Sequence, residues 1–111
     1  MHKMGFLRGA VLGLLAGLLV APKSGKETRD NIKKHYEEIT DRICDEVSRM
    51  KAITKETYAE VVGAVVCGFE EARKITAEEA VEIKEELKKG FEEIRKSHEK
   101  DRKSAASKNK K

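Results

Sequence analysis

A glycine recurs at every fourth position near the start of this chain: Gly5, Gly9, Gly13 and Gly17. Residues four apart lie on one face of an α-helix, so these glycines predict a smooth strip along a helix. Residues 4–21 around them are all apolar or glycine except Arg8. Small residues at this spacing are typical of membrane helices that approach one another closely. The segment is therefore predicted to be a glycine-zipper helix and not part of an enzyme core.

Length and composition favour a membrane-spanning role for this helix. Residues 4–21 would extend about 27 Å, slightly less than the ~30 Å hydrocarbon core of a bilayer. Arg8 lies one turn from the start, where its guanidinium can reach the interface. Glycine weakens a soluble helix but is tolerated in a membrane span. We therefore predict residues 1–22 to be the single transmembrane anchor of a cell-membrane protein.

Two other interpretations of the anchor stay open. A cleaved secretory signal would use Ala21 as the small residue before the cut, but Leu19 is large and Pro22 would follow the scissile bond. The second alternative is a helix buried at the centre of a soluble oligomer. If the segment spans a bilayer, the excess of Lys and Arg on its C-terminal side predicts a cytoplasmic location for the rest of the chain. Those residues are Lys23, Lys26, Arg29, Lys33 and Lys34, against Lys3 and Arg8.

The chain's only proline, Pro22, marks a junction where one helix stops and another begins. Ser24 with Glu27 three residues later matches a capping box. Gly25 and Lys26 do not form a nucleotide-binding loop, because that motif needs glycine five residues earlier and Ser or Thr after the lysine. This chain has valine and glutamate there. The junction motif comprises Pro22, Lys23, Ser24, Gly25, Lys26 and Glu27.

A family resemblance rests on residues 18–29, which have the sequence LLVAPKSGKETR, and on the glycine-spaced segment before them. Together they resemble the YtxH-like family of small bacterial general-stress proteins. The resemblance is specific over about the first thirty residues and extends to the charged remainder only in character. It implies a membrane-associated, non-enzymatic protein linked to stress responses. Together with the residue patterns, we expect an envelope-associated stress-response or scaffolding factor. The family supplies no catalytic residue to carry over.

Beyond the junction, apolar residues recur in steps of four, three and four from Ile32 to His98 without a change of frame. Of the nineteen positions, sixteen are apolar or tyrosine, and the exceptions are Thr54, Thr76 and His98. Three turns per eleven residues correspond to a nearly straight helix. Such repeats resemble those of desiccation-protection and lipid-surface proteins. We predict residues 23–99 to be one long amphipathic helix that does not form a compact globule.

Two features leave open a kink or a hairpin in this long helix. Residues 61–69 are apolar on all sides, which predicts contacts on more than one face. Thr76 with Glu79 forms a second candidate capping box, after which a new helix could start. A break near residue 75 would fold the rod into a hairpin or a small bundle.

The chain ends in a basic segment, residues 100–111, with six Lys and Arg against one Asp. We predict a disordered tail there, with attraction to anionic lipid headgroups and a purely solubilising role as equal alternatives. No aromatic residues interleave its lysines, so no specific nucleic-acid partner is expected. The fold class is thus all-α, with an anchor over residues 1–22, a helical arm over 23–99 and a tail.

No motif for catalysis, metal binding or a cofactor is present in the sequence, so no enzyme is expected. The histidines, His2, His35 and His98, are far apart, and two cysteines, Cys44 and Cys67, are expected to be unpaired. The function predicted first is a membrane-anchored scaffolding or stress factor that forms homo-oligomers through its glycines, with an unidentified protein partner left open. The alternatives are a soluble or peripheral protector resembling desiccation proteins, or a helical oligomerisation module.

Overall fold

Regular structure in this protein consists of helices joined by short connections. The computed structural model describes residues 5–20 and 25–109, with the backbone alone for 104–109. Within these ranges there is no strand. The α-helices are α1 (Gly5–Val20), α2 (Lys26–Ser48), α3 (Lys55–Glu71), α4 (Ala77–Lys89) and α5 (Phe91–Asn109). The predicted all-α class is confirmed.

Threonine capping boxes begin two of the helices. Thr76 Oγ1 accepts from the Glu79 backbone N–H at 3.1 Å, and the Thr76 N–H donates to the Glu79 carboxylate at 3.0 Å. This capping box at the start of α4 is the one predicted from the sequence. A second, between Thr54 and Thr57, starts α3 in the same way and was not predicted. Reciprocal caps satisfy backbone donors that a helix start otherwise leaves unpaired.

A tight reversal separates α3 from α4. The Lys74 N–H donates to the Phe69 carbonyl and the Arg73 N–H donates to the Glu70 carbonyl, both at 3.0 Å. These are the paired bonds of a Schellman motif, and Arg73 occupies the left-handed position at φ 65°. The reversal lets α4 pack against α3.

Residues 23–99 do not form one continuous helix, because the chain breaks after Ser48, after Glu71 and at Gly90. Of the alternatives left open by the sequence, the folded one is observed, with one break close to residue 75. The eleven-residue stripe nevertheless identifies the core. Its polar exceptions Thr54 and Thr76 are the helix caps, and most of its other positions are buried. The buried ones are Ile32, Ile39, Ile43, Val47, Tyr58, Val61, Val65, Phe69, Ala80, Ile83, Leu87, Ile94 and His98. Folding back lets each helix bury its segment of the stripe against another helix.

Helix α1 is part of this bundle and packs against α2, α4 and α5. Its side chains Leu7, Val11 and Leu15 are fully buried in the common core, and Leu18 is nearly so. The fold-class prediction of a transmembrane anchor joined to a non-compact arm is therefore wrong: the helices form one bundle with extents of 49 × 23 × 22 Å. The reason is physical, since an apolar helix can bury its surface in protein as well as in lipid.

None of the helices in the described ranges combines the length and the apolar character that a membrane span requires. Residues 1–4 and 21–24 lie outside the described residues. They include both ends of the predicted anchor and the first three residues of the junction motif.

Helix α5 extends through Asn109, so a helix is observed where the sequence predicts a disordered tail from residue 100. Its buried positions Ile94, His98 and Asp101 follow one another at steps of four and three. The amphipathic pattern therefore continues into the basic segment. His98 is fixed there by a 2.9 Å hydrogen bond between its Nε2 and the Met50 carbonyl.

The turn between α4 and α5 holds α1 through the close approach of Leu14 to Gly90. A Cβ atom at Gly90 would lie 2.4 and 2.5 Å from the two Leu14 methyl carbons and 2.9 Å from Cγ. Gly90 has φ −93° and ψ 19°, which other residues adopt, so the requirement for glycine is steric.

We expect Gly90→Ala to reduce the free energy of unfolding by about 1–2 kcal/mol, because Leu14 must shift to avoid overpacking. Urea denaturation followed by helical circular dichroism measures the change. Truncation in Leu14→Ala should remove most of the penalty in a double-mutant cycle. Gly13→Ala is the matched control, since a Cβ there meets nothing within 4 Å. Equal effects of Gly90→Ala with and without Leu14 would contradict this contact.

Candidate interaction surface

Helix α1 presents an apolar surface on both its sides, one in the core and one in solvent. The exposed side carries no charged residue, and we call it the glycine face. It contains two large side chains, Phe6 at 55% exposure and Val20 at 80%. The face is formed by Gly5, Phe6, Gly9, Gly13, Ala16, Gly17 and Val20. The predicted helix-packing glycines therefore lie together on one face, as their spacing requires, and that face points away from the protein core.

The glycines of this face are not needed for packing within the chain. A Cβ atom built on Gly5, Gly9 or Gly13 meets nothing within 4 Å. One built on Gly17 meets only the Glu86 carboxylate, at an ordinary 3.8 Å. Each glycine in a helix interior costs about 1 kcal/mol relative to alanine. The fold offsets this cost at Gly90, where Leu14 occupies the free space, but not on the glycine face.

Asp101 of α5 fixes the start of α1 as a long-range cap. Its carboxylate accepts from the Phe6 N–H at 3.1 Å and from the Leu7 N–H at 2.9 Å. The Asp101 residue is only 3% exposed. A carboxylate at a helix N-terminus pairs free N–H groups and interacts favourably with the helix dipole. Asp101 thereby holds α1 in one orientation, with its glycine face outward.

Two further charged contacts hold the same end of α1. Arg8 forms an ion pair with Asp41 of α2, and Lys100 lies over the Phe6 ring at 5.2 Å from its centroid. Neither Asp41 nor Asp101 was singled out from the sequence. The spacing of Asp101, three residues after His98 and seven after Ile94, places it on the buried face of α5 and is the signal that could have identified it.

The junction motif is separate from these contacts. Pro22, Lys23 and Ser24 lie outside the described residues, so the predicted Ser24–Glu27 cap does too. Gly25 is the N-cap of α2, and its carbonyl accepts from the Arg29 N–H at 3.0 Å. Lys26 pairs with Asp30 at 3.8 Å. Among the described residues, neither Lys26 nor Glu27 forms an ion pair with α1.

The most strongly perturbed titratable groups are structural. Burial raises the pKa of the Cys44 thiol to about 11 and also raises the pKa of Tyr58. The Tyr58 hydroxyl donates to the Leu87 carbonyl at 2.7 Å. Cys44 and the exposed Cys67 are both free thiols. Among the residues that the structure describes, no group of three His, Cys, Asp or Glu side chains could hold a metal ion.

Comparison with known proteins gives one match. The family model described as YtxH-like protein matches residues 3–109. No curated protein and no solved structure matches the chain. The match includes α1 and also the charged helices α2 to α5. From the sequence alone, the specific resemblance to the family covered only about the first thirty residues. Because it extends over nearly the whole chain, this protein belongs to the YtxH-like family.

Proposed function

We propose that this protein is a helical association module that acts without catalysis, and that its glycine face packs against the glycine face of a second copy. The observation that carries the proposal is an apolar helix face that has no charged residue of its own and whose glycines leave open space within the chain. Family membership and the resemblance to general-stress proteins support a scaffolding role in a stress response.

Close approach of two helices explains why glycines occupy this face. The 16 residues of α1 extend about 24 Å, and the glycines run along most of that length. Small residues let two backbones come close and gain dispersion contacts that larger side chains would prevent. Phe6 and Val20, exposed near the two ends, supply apolar area that leaves water on association.

The fixed position of α1 also favours association. Its buried side is packed in the core, and Asp101 caps its first turn. A helix that is already ordered loses little conformational entropy when a partner binds. A twofold dimer would place each glycine face against the same face of the partner, which is the commonest closed arrangement of homo-oligomers.

The test replaces two glycines of the face, in Gly9→Leu/Gly13→Leu. Leucine side chains would hold the helices apart, so we expect the dimer dissociation constant to rise about tenfold or more, as measured by sedimentation equilibrium. Gly68→Leu is the matched control, because Gly68 is exposed on α3 and a Cβ atom built there meets nothing within 4 Å. Gly9→Ala/Gly13→Ala should raise the thermal midpoint, because alanine favours a helix more than glycine does. That result would show that the fold tolerates side chains at these positions, so a weaker dimer in the leucine variant would not be due to unfolding.

A lipid surface is the other apolar surface that could cover the glycine face, and it would make the chain a peripheral protector. The same variants distinguish the two. Added leucines weaken helix packing but strengthen burial in lipid, so vesicle binding that increases in Gly9→Leu/Gly13→Leu would favour the lipid alternative. A native chain that stays monomeric at millimolar concentration, or a dimer unaffected by the leucines, would overturn the proposal.

A further inference from the structure

A second surface feature, distant in sequence from the glycine face, is a cleft with aromatic side chains between α3, α4 and α5. Its volume is about 300 Å³, and we call it the aromatic cleft. It is lined by Lys55, Glu56, Tyr58, Ala59, Lys88 and Phe91. This volume lies at the lower end of the range for small-molecule sites.

The apolar part of the cleft is built on two packed aromatic rings. The rings of Tyr58 and Phe91 have centroids 5.6 Å apart and a tilt of 45°. Tyr58 is only 1% exposed, and its hydroxyl is engaged by the Leu87 carbonyl. The buried tyrosine therefore supports the partly exposed Phe91 ring and offers the cleft no free hydroxyl. With the small side chain of Ala59 beside the rings, this part suits an apolar body.

The charged part of the cleft is positive. Lys55 and Lys88 contribute two ammonium groups and Glu56 contributes one carboxylate. Within the described part of the chain neither lysine forms an ion pair, whereas Lys74 and Lys89 do. Lys55 also acts on Glu92, but that carboxylate is already hydrogen-bonded to Arg95 at 2.9 Å. Among the residues that line the cleft, positive charge thus exceeds negative charge by one.

We infer that the aromatic cleft binds an amphipathic monoanion, specifically a medium-chain acyl carboxylate. The Phe91 ring and Ala59, both partly exposed, would contact the acyl chain, and Lys55 and Lys88 would contact the carboxylate. A volume of about 300 Å³ suits a short acyl chain. Glu56 opposes a head group with two negative charges, so the site discriminates for a single charge.

The test uses sodium octanoate as the probe and the full chain as the receptor. Its titration should produce saturable NMR shifts at the Ala59 methyl and the Phe91 ring. Lys88→Gln removes one exposed ammonium and should weaken binding about threefold to fivefold. Ala59→Leu fills the cleft and should abolish binding, while Ala64→Leu in the separate groove between α2 and α3 is the matched control.

Further ligands separate the contributions of charge and chain. Octanol should bind more weakly than octanoate, and octylamine more weakly still. Shifts that do not saturate, or octanoate binding that survives in Ala59→Leu, would overturn the inference. Equal affinities for octanoate and octanol, with no effect of Lys88→Gln, would overturn the role of the lysines. Sedimentation of Ala59→Leu should show unchanged association, so failure here is distinct from failure of the glycine face.

Discussion

Replacing Leu15 by alanine is expected to lower the free energy of unfolding of the whole chain by about 3 kcal/mol. Leu15 is fully buried on the core side of α1, and truncating a buried leucine removes its transfer free energy and leaves a cavity. This is a large fraction of the stability of a small domain, which is typically about 5–15 kcal/mol. Urea denaturation followed by circular dichroism at the helical minimum gives the value, since the chain has no tryptophan.

Leu12→Ala is the matched control for this prediction. It makes the same chemical change in the same helix, but Leu12 is half-exposed and does not belong to the core cluster. We expect it to cost less than Leu15→Ala, about 1–2 kcal/mol, because part of its surface stays in water and its truncation leaves no cavity in the core. If Leu15→Ala were no more destabilising than Leu12→Ala, α1 would not be packed in the bundle as described.

The sequence contains enough information to identify the core but not the way in which it folds. The stripe from Ile32 to His98 shows which side of each helix is buried. It cannot show where the stripe bends, because the repeat continues in frame through every turn. Thr54 and Thr76 mark two bends by their capping chemistry, and only the second has glutamate at the position that makes a capping box recognisable from sequence.

The placement of α1 could not be predicted for a different reason. Its hydropathy is similar on all sides, so the sequence pattern alone does not distinguish burial in lipid from burial in protein. The contacts that determine the outcome come from distant segments: Asp101 caps the helix, Asp41 pairs with Arg8, and Gly90 receives Leu14. Spacing can place Asp101 on the buried face of α5, but no local pattern shows that its partner, or that of Asp41 or Gly90, lies in α1.

The sequence predicted which glycines share a face, but not whether that face is exposed. Four-residue spacing placed the glycines on one face, and the structure has them there. Spacing cannot show whether a strip of small residues faces the core or solvent, because glycine suits both. The exposure of the strip follows from the opposite side, where Leu7, Val11 and Leu15 supply the stronger driving force for burial.

Replacing Asp101 by alanine is expected to lower the free energy of unfolding by about 2–3 kcal/mol. The substitution leaves the Phe6 and Leu7 N–H groups without their acceptor, and the bond to Leu7 is buried. Each unpaired buried donor costs about 1–3 kcal/mol, and the favourable interaction of the carboxylate with the helix dipole is also lost. Asp101→Asn keeps one acceptor oxygen but replaces the other by an NH2 group and loses the charge. It should therefore cost about 1–2 kcal/mol, less than the alanine variant.

Amide hydrogen exchange shows whether this loss is local to α1. In Asp101→Ala the amides of the first turns of α1 should exchange faster than those of α3, because the uncapped helix opens before the rest of the bundle. Asp45→Ala is the matched control: Asp45 is exposed and pairs with the neighbouring Arg49 at 3.1 Å, so it should change stability by about 0.5 kcal/mol or less. Equal effects of the two alanine variants on stability, with unchanged amide exchange in α1, would show that Asp101 does not cap the helix. The buried side chains of α1 would then be what keeps the glycine face in position.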